Sequence, residues 1–360
     1  MTEPQVLDRP PAEGAQKVTL VDCDIHPLPA SPGELMAYLP EKWRSHLARF
    51  GTRWQLAQYP KVGGFAVRAD AWPEEGLPGS SVELMRTQHL DQYGVDYGML
   101  NFDHDERGHR ELAVEFARAI NDWVAEKWLA AEPRLLGSIV VPWEHPELAV
   151  REIERRVAEG RQWVQVAHPL EGAEPLGSRK YRPIYEAAAA HGLPVRMHVG
   201  QYGLHNGTGW PSYYFEEHVD AALATRAQLL NMVCEGLFDA VPGVKIVLVE
   251  GGVTWATSLR WALDSAFEQF GAETGLPRRP SEYLDESVWY TTQPIEEPDD
   301  PRDLARLIEH GRLESRLLFS TDYPHWDFDA PTQSLPRSLP KETRERIFAG
   351  NACELYGLPR

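Results

Sequence analysis

Eight short apolar runs alternate with longer segments of helical periodicity, and this alternation constrains the fold more than any other feature of the chain. The first run is VTLVDCDIHP at residues 18–27, and the last is RLLFSTDYPH at residues 316–325. Such alternation is typical of parallel βαβ units. Eight units in 360 residues predict an α/β protein of the (β/α)8 TIM barrel class. An open doubly wound sheet is the structural rival, but it usually has fewer strands and carries a GxGxxG turn, which has no counterpart in this chain.

The same pattern predicts the domain organisation. Residues 18–360 are expected to form a single barrel domain, and residues 1–17, rich in Pro, Gly and charge, a disordered N-terminal arm. Residues 41–80 contain several Gly and Pro and are predicted to be an irregular insertion after the first strand. The aromatic-rich segment 202–218 is either a lid over an apolar pocket or a packed Ω-loop, and both alternatives remain open.

Charge and composition exclude several classes of function. The net charge is −18, and no cluster of Lys and Arg offers a surface for nucleic acid. No apolar run reaches the ~20 residues that span a bilayer, and the N-terminus lacks the apolar segment of a secretory signal. Three widely spaced cysteines fit a reducing compartment. We therefore expect a cytoplasmic protein that acts on a small molecule, without nucleic-acid or membrane partners. We further expect a homo-oligomer, specifically a dimer.

Side chains of the metal-ligand type lie at the ends of the predicted strands. Strand one ends in Asp22, Asp24 and His26, whose alternate spacing predicts a shared face. Strand five ends in His198 and strand eight in Asp322. The carboxyl ends of barrel strands meet at the active-site mouth, where buried carboxylates require a neutralising cation. The sequence therefore predicts a site for a divalent metal with imidazole and carboxylate ligands, which suit zinc or manganese.

Single residues of this set also have purely structural explanations. His198 alone is typical of a hydrogen-bonded packing residue, and Asp322 before Tyr-Pro is typical of a turn. Their convergence in a closed barrel favours a functional site, because packing alone gives no reason for it. Glu250 after strand six and His325 after strand eight are further candidates at this mouth, whereas His168 after strand four is predicted to be a core or surface histidine.

Five motifs resemble the amidohydrolase superfamily, specifically the branch of aminocarboxymuconate-semialdehyde decarboxylase. They are VDCDIHP, RMHVG, VEGG, STDYPH and FAGNACELYGL. The likeness extends from about residue 18 to the C-terminus and is weakest over residues 41–80. The resemblance implies one metal ion. The ligands it implies are Asp24, His26, His198 and Asp322.

The chain departs from the branch at two places. The branch typically has Asp-x-His-x-His on strand one, and Asp24 occupies the position of the first His. Decarboxylases of aromatic acids in the branch often have a carboxylate there. Many members place a His before Gly-Gly after strand six, whereas this chain has Glu250. The fourth strand has no lysine to bridge a second metal, which is why the resemblance implies a mononuclear site.

These observations lead to a mechanistic hypothesis. A divalent transition metal, zinc first and manganese as the alternative, activates water, and Asp322 accepts its proton and later donates it. Glu250 and His325 orient substrate or water, and Glu250 is predicted not to be a metal ligand. The favoured reaction is hydrolysis of an amide, lactone or similar bond in a small organic molecule. The alternative is non-oxidative decarboxylation of an aromatic or unsaturated acid. An alternative of another class is a non-catalytic, ligand-sensing barrel.

Overall fold

The computed structural model describes residues 17–50, 66–102, 109–160, 162–170, 174–198 and 213–359. The predicted N-terminal arm therefore lies outside the described residues except for residue 17. Most of the 202–218 segment also lies outside them, as do residues 51–65 of the predicted insertion. Within the described ranges, no helix is long and apolar enough to cross a membrane.

Eight parallel strands form one sheet, and each strand is hydrogen-bonded to the next in sequence. The strands are β1 (Val21–Ile25), β2 (Tyr97–Leu100), β3 (Leu135–Val140), β4 (Trp163–Pro169), β5 (Val195–His198), β6 (Ile246–Val249), β7 (Val288–Thr291) and β8 (Leu317–Leu318). Backbone hydrogen bonds link the end of the sheet to its beginning, because Cys23 N–H donates to the Phe319 carbonyl at 2.9 Å. The predicted TIM barrel is confirmed, since buried apolar strands alternate with helices that cover them.

Helices follow the strands as the periodicity predicts. The α-helices are α1 (Pro32–Met36), α2 (Glu41–Phe50), α3 (Val82–Met85), α4 (Arg110–Trp123), α5 (Pro146–Glu159), α6 (Arg182–Ala190), α7 (Tyr214–Cys234), α8 (Leu237–Ala240), α9 (Thr254–Thr274), α10 (Pro280–Ser287), α11 (Pro301–Gly311), α12 (Lys341–Glu345) and α13 (Asn351–Tyr356). Turns of π-helix extend α3, α4 and α12 over Arg86–Asp91, Val124–Leu129 and Arg346–Gly350. Short 3₁₀ turns lie at Ala69–Ala71 and Arg179–Tyr181. Proline begins α5 and α11, where its missing N–H leaves no helical bond unmade.

The region predicted as an irregular insertion begins with regular structure. Helix α2 (Glu41–Phe50) occupies its first ten residues, and Trp43 and Leu47 are buried on one side of it. These two residues are four apart, so they lie on the same helical face, and they form a small apolar cluster with Leu39 and with Ala119 of α4. The prediction of irregular structure is therefore wrong for residues 41–50. The helix was missed because only two apolar residues, Trp43 and Leu47, mark its buried face among many charged residues.

The predicted strand eight is also shorter than its apolar run. Only Leu317–Leu318 belong to the ladder, and Asp322 has a φ of 60° in the left-handed region. A strand cannot continue through that conformation, which Asp and Asn adopt more readily than other non-glycine residues. Asp322 is therefore placed by a turn, and its N–H donates to the Asp24 carbonyl at 3.1 Å.

The last helix fills the amino-terminal end of the barrel. Buried residues of α13, including Cys353 and Tyr356, cluster with Val21, Leu136 and Val247, which lie near the starts of their strands. A larger apolar cluster occupies the layer between the sheet and the outer helices. Apolar groups therefore close one end of the interior, whereas the buried Asp24, His26, His198 and Asp322 lie at or beyond the carboxyl ends of their strands.

Candidate active site

The strand ends bring the predicted ligand residues together. Asp24 of β1, His26 directly after β1, His198 of β5 and Glu250 after β6 offer ligand atoms that all lie within 4.8 Å of one another. A second group joins His26 to Asp322 and His325 within the same limit. The two groups share His26, so these residues surround one region at the carboxyl ends of β1, β5, β6 and β8. The structure thus assembles the residues that the sequence predicts for this site.

The distances define a compact polar centre. His26 Nε2 lies 3.1 Å from Asp24 Oδ1 and 3.0 Å from Asp322 Oδ1. His198 Nε2 lies 3.5 Å from Asp24 Oδ2 and 3.0 Å from Glu250 Oε2. Asp24 and Asp322 are completely buried, and the two imidazoles are almost so. Carboxylate and imidazole atoms buried at such spacing suit a single divalent cation.

Unsatisfied atoms at this centre point to the same conclusion. Within the described part of the chain, Asp24 Oδ2, His26 Nε2 and Asp322 Oδ2 are buried and make no hydrogen bond of good geometry. Buried polar atoms are rarely left without a partner, and a metal-binding site is one recognised reason for it. These atoms are of the types that bind Zn²⁺ or Mn²⁺. The residues present therefore fit a divalent metal.

The electrostatics keep the carboxylates ionised. Burial by itself would raise the pKa of Asp24, but the charges and hydrogen bonds of His26 and His198 lower it well below its usual value. Burial likewise opposes ionisation of Asp322, and His325 and His26 lower its pKa. For His26, burial favours the neutral ring, yet Asp24 and Asp322 raise its pKa to about 10. Negative charge at this centre thus attracts positive charge, either a proton on His26 or a cation.

Glu250 and His325 occupy the positions that the sequence predicts for substrate-orienting groups. Glu250 has a φ of 56°, and its N–H donates to Thr291 Oγ1 at 3.1 Å. His325 Nδ1 lies 2.6 Å from Asp322 Oδ1, and its ring centroid lies 4.6 Å from that of His26. Both side chains therefore adjoin the ligand residues. That Glu250 acts on substrate or water without binding the metal stays a prediction.

Sequence comparison identifies the family. A sequence model of the Amidohydrolase family (Amidohydro_2) matches residues 21–358. The chain belongs to the amidohydrolase family. The resemblance inferred from the strand-end motifs is therefore confirmed, and the match spans every strand of the barrel.

Two curated relatives of this amidohydrolase are decarboxylases. The gamma-resorcylate decarboxylase of Polaromonas sp. strain JS666 is 27% identical over 317 residues, which cover 82% of this chain and 94% of that protein. The 2-amino-3-carboxymuconate-6-semialdehyde decarboxylase of Dictyostelium discoideum is 23% identical over 290 residues, 76% of each chain. Of the two reactions predicted from the sequence, these relatives support the alternative, decarboxylation, better than hydrolysis.

Solved structures share the fold. The dihydroxybenzoic acid decarboxylase of Polaromonas sp. JS666, which contains manganese and the inhibitor 2-nitroresorcinol, superposes with a TM-score of 0.66 at 22% identity, covering 96% of this chain and 98% of that one. The apo IDCase of Metarhizium anisopliae has a TM-score of 0.70 at 19% identity, covering 94% and 97%. These similarities show that the chain shares the barrel fold of both structures.

A buried polar chain that the sequence analysis missed supports Asp24 in this amidohydrolase. Asn101 Nδ2 donates to Asp24 Oδ1 at 2.7 Å, and Asn101 Oδ1 accepts from Ser138 Oγ at 2.7 Å and from Gln165 Nε2 at 3.2 Å. Tyr356 of the last helix donates to Gln165 Oε1 at 2.7 Å. The signal that could have identified Asn101, Ser138 and Gln165 is a polar side chain within a buried apolar strand or directly after it, because such a side chain needs a specific hydrogen-bond partner.

The polar chain leads to a testable expectation. Replacing Asn101 by leucine should lower metal affinity about 10- to 100-fold, because Asn101 Nδ2 no longer fixes the orientation of the Asp24 carboxylate. Chelator competition measures the change. Asn121→Leu is the matched control, since Asn121 is equally buried but donates to the Val140 carbonyl and Glu152 instead. Wild-type affinity in Asn101→Leu protein would refute the supporting role.

Asp22 lies apart from the ligand group, which corrects the prediction that it shares a face with Asp24 and His26. Its carboxylate accepts hydrogen bonds from the Thr321 N–H at 3.0 Å and the Thr321 hydroxyl at 2.6 Å, and Oδ2 lies 2.7 Å from His89 Nε2. The physical reason is a shift of register between Asp22 and Ile25, which breaks the strict alternation of side chains. Asp22 therefore ties β1 to the segment after β8, close to Asp322.

His168 also lies apart from the ligand group, as expected for a core histidine. Its ring lies among Trp143, Tyr181 and Tyr185, with centroid distances of 5.8, 5.1 and 6.3 Å. Nδ1 lies 2.7 Å from the Pro169 carbonyl, which can only accept, so Nδ1 carries the proton. Burial lowers the pKa of His168 to about 4, and the ring is neutral at neutral pH.

Proposed function

We propose that this amidohydrolase is a metal-dependent, non-oxidative decarboxylase of an aromatic or unsaturated carboxylic acid. One observation carries the proposal: two buried aspartates and two histidines converge at the barrel mouth in a chain whose curated relatives include decarboxylases. Hydrolysis uses the same types of ligand, so the residues alone do not exclude it. The relatives favour carbon–carbon bond cleavage, and we adopt that reaction.

The metal would be held by the predicted set of four residues. They are Asp24, His26, His198 and Asp322. Zinc or manganese would supply a Lewis acid that binds substrate oxygens and neutralises their charge. Two carboxylates balance the charge of one divalent cation, which removes the electrostatic penalty of burying them together. Asn101 holds the carboxylate of Asp24 so that its Oδ2 stays directed into the centre.

Asp322 is proposed to deliver the proton that the reaction consumes. The proton bonds to the carbon that carries the carboxylate, the carbon–carbon bond breaks, and its electron pair restores the unsaturated system as CO₂ leaves. Asp322 is ionised before the reaction, so it must first receive a proton. His325 Nδ1, 2.6 Å from Asp322 Oδ1, is placed to transfer one. Glu250, beside His198, is proposed to orient the substrate.

CO₂ release tests the proposal. Metal-loaded protein is incubated with a panel of hydroxybenzoates, lactones and amides in H₂¹⁸O, and both CO₂ and the oxygen content of the products are measured. We expect CO₂ release from at least one hydroxybenzoate, without ¹⁸O in the aromatic product. Protein stripped of metal with a chelator should release no CO₂. Incorporation of ¹⁸O with no CO₂ would establish hydrolysis instead. Tight binding of panel compounds with no turnover would favour the ligand-sensing barrel.

The metal identity and the assembly belong to the same proposal. We propose one zinc or manganese ion per chain, a homodimer and a cytoplasmic location. Manganese is supported by the metal-containing structural neighbour, and zinc by the preference of imidazole and carboxylate sites for it. All three cysteines are free thiols, as a reducing compartment requires.

A further inference from the structure

A second polar pair lies beside the ligand residues, in the segments that follow β7 and β8. Gln293 follows β7 and is 1% exposed. Its Nε2 donates to Asp327 Oδ2 at 2.8 Å, and its backbone N–H donates to Ser320 Oγ at 2.9 Å. Ser320 precedes Asp322 by two residues, so the pair is fixed to the segment that carries the proposed proton donor.

The chemistry of the pair fixes the orientation of the amide. A carboxylate only accepts hydrogen bonds, so the NH₂ end of Gln293 must face Asp327, and exchange of the amide O and N would set two acceptors against each other. The other end, Oε1, is buried and has no hydrogen-bond partner in the described ranges. A buried acceptor of this kind is costly unless a donor reaches it. Gln293 thus presents an unsatisfied acceptor next to a carboxylate.

The surroundings place this acceptor pair at the active-site mouth. The backbone next to Asp327 is hydrogen-bonded to the segment that carries Asp322, because the Phe328 N–H donates to the His325 carbonyl at 3.3 Å and the Asp329 N–H donates to the Thr321 carbonyl at 3.0 Å. Burial, and then the negative charges of Asp322 and Glu250, raise the pKa of Asp327 to about 6. His218 Nε2 lies 3.5 Å from Asp327 Oδ2, and the His218 ring lies 5.7 Å from that of Trp326. An aromatic surface therefore borders the polar pair.

We propose that Gln293 and Asp327 form a subsite for a hydrogen-bond-donating substituent of the substrate, a hydroxyl or amino group. This inference rests on the proposed decarboxylation of an aromatic acid, and it specifies which ring substituent the enzyme prefers. The subsite offers acceptors to the substrate, so a group without a proton, such as a methoxy group, leaves Gln293 Oε1 unpaired. Hydrogen bonds to charged groups imply a discrimination of about 10- to 100-fold in binding.

Ligand binding by matched pairs of benzoates tests the subsite. The dissociation constants of 2-, 3- and 4-hydroxybenzoate and of the three corresponding methoxybenzoates are measured calorimetrically with metal-loaded, full-length protein. At one ring position we expect the hydroxyl compound to bind about 10- to 100-fold more tightly than the methoxy compound. In Asp327→Asn and Gln293→Leu proteins this ratio should fall to near one, while metal content stays at the wild-type level.

Asp329 provides the control for these variants. Asp329→Asn changes a nearby carboxylate that is not among the hydrogen-bond partners of Gln293 in the described structure, and it should keep the wild-type ratio. Asp327→Asn preserves size, so it remains informative if Gln293→Leu fails to fold. An unchanged ratio in metal-loaded Asp327→Asn protein, or no hydroxyl preference at any position, would overturn the subsite. Hydroxyl preference without CO₂ release would refute the decarboxylase and leave the subsite standing.

Discussion

Metal-loaded Asp322→Asn protein should lose about 10²- to 10⁴-fold in kcat, the usual contribution of a general acid–base group. Asparagine keeps the size of the side chain and one ligand oxygen, but it neither accepts nor donates the required proton near neutral pH. Its left-handed conformation is also tolerated, because Asn adopts a φ near 60° as readily as Asp. We therefore expect the turn after β8 to remain intact. The measurement is kcat per bound metal on the substrate that releases CO₂.

A purely structural role of Asp322 predicts a different result. If Asp322 only forms a turn, asparagine is nearly as good a residue there, and the variant should be close to wild type. Asp303→Asn, on the exposed side of α11, controls for loss of one negative charge. Near-normal kcat in metal-loaded Asp322→Asn protein would remove Asp322 from the chemistry while leaving the barrel unchanged.

His198→Ala should abolish stoichiometric metal binding. The imidazole Nε2 lies within 3.5 Å of both Asp24 and Glu250, so its loss opens the centre and leaves the carboxylates without their partner. Loss of groups that only support a ligand lowers affinity roughly 10- to 100-fold, and loss of a ligand should exceed this. Elemental analysis after dialysis should give about one metal per wild-type chain and nearly none in the variant.

His168 provides the matched control for that experiment. It is a buried histidine at the end of the neighbouring strand β4, yet it packs among aromatic rings apart from the ligand group. His168→Phe should therefore keep the wild-type metal content. Full metal content in His198→Ala protein, or equal loss in both variants, would show that the proposed ligand set is wrong.

The fold and most of the candidate site could be predicted because both depend on periodicity. Apolar runs separated by amphipathic segments predict parallel strands, and a barrel brings the ends of all its strands to one mouth. That rule is enough to bring Asp24, His26, His198 and Asp322 into one place. Glu250 follows from the same rule, since it comes directly after β6, and His325 lies on the segment after β8 that also carries Asp322.

The parts that could not be predicted depend on departures from regular alternation. The regular alternation of side chains along a strand predicts that Asp22 and Asp24 share a face. A register shift in β1 instead directs Asp22 to Thr321 and His89. The same alternation predicts that β8 continues through Asp322. The strand ends at Leu318, and Asp322 has a left-handed backbone conformation that a strand does not accommodate. Such irregularities depend on tertiary hydrogen bonds, which a single sequence does not display.

The sequence alone could not decide between hydrolysis and decarboxylation, for a different reason. Hydrolysis and decarboxylation use the same ligand types, so the ligand residues by themselves do not separate the two reactions. We propose that specificity depends instead on contacts between residues that are far apart in the sequence, such as the hydrogen bond of 2.8 Å from Gln293 Nε2 to Asp327 Oδ2. The sequence shows these two residues 34 positions apart, with nothing to pair them.

Anomalous diffraction from crystals of metal-loaded protein tests the central claim most directly. Data collected above and below the absorption edge of zinc or manganese locate the ion without reference to activity. We predict a single peak per chain, bonded to Asp24, His26, His198 and Asp322 at about 2.0–2.2 Å if the metal is zinc, with Glu250 outside bonding distance. A peak elsewhere in the molecule, two peaks at the mouth, or no peak in crystals grown with excess metal would contradict the account.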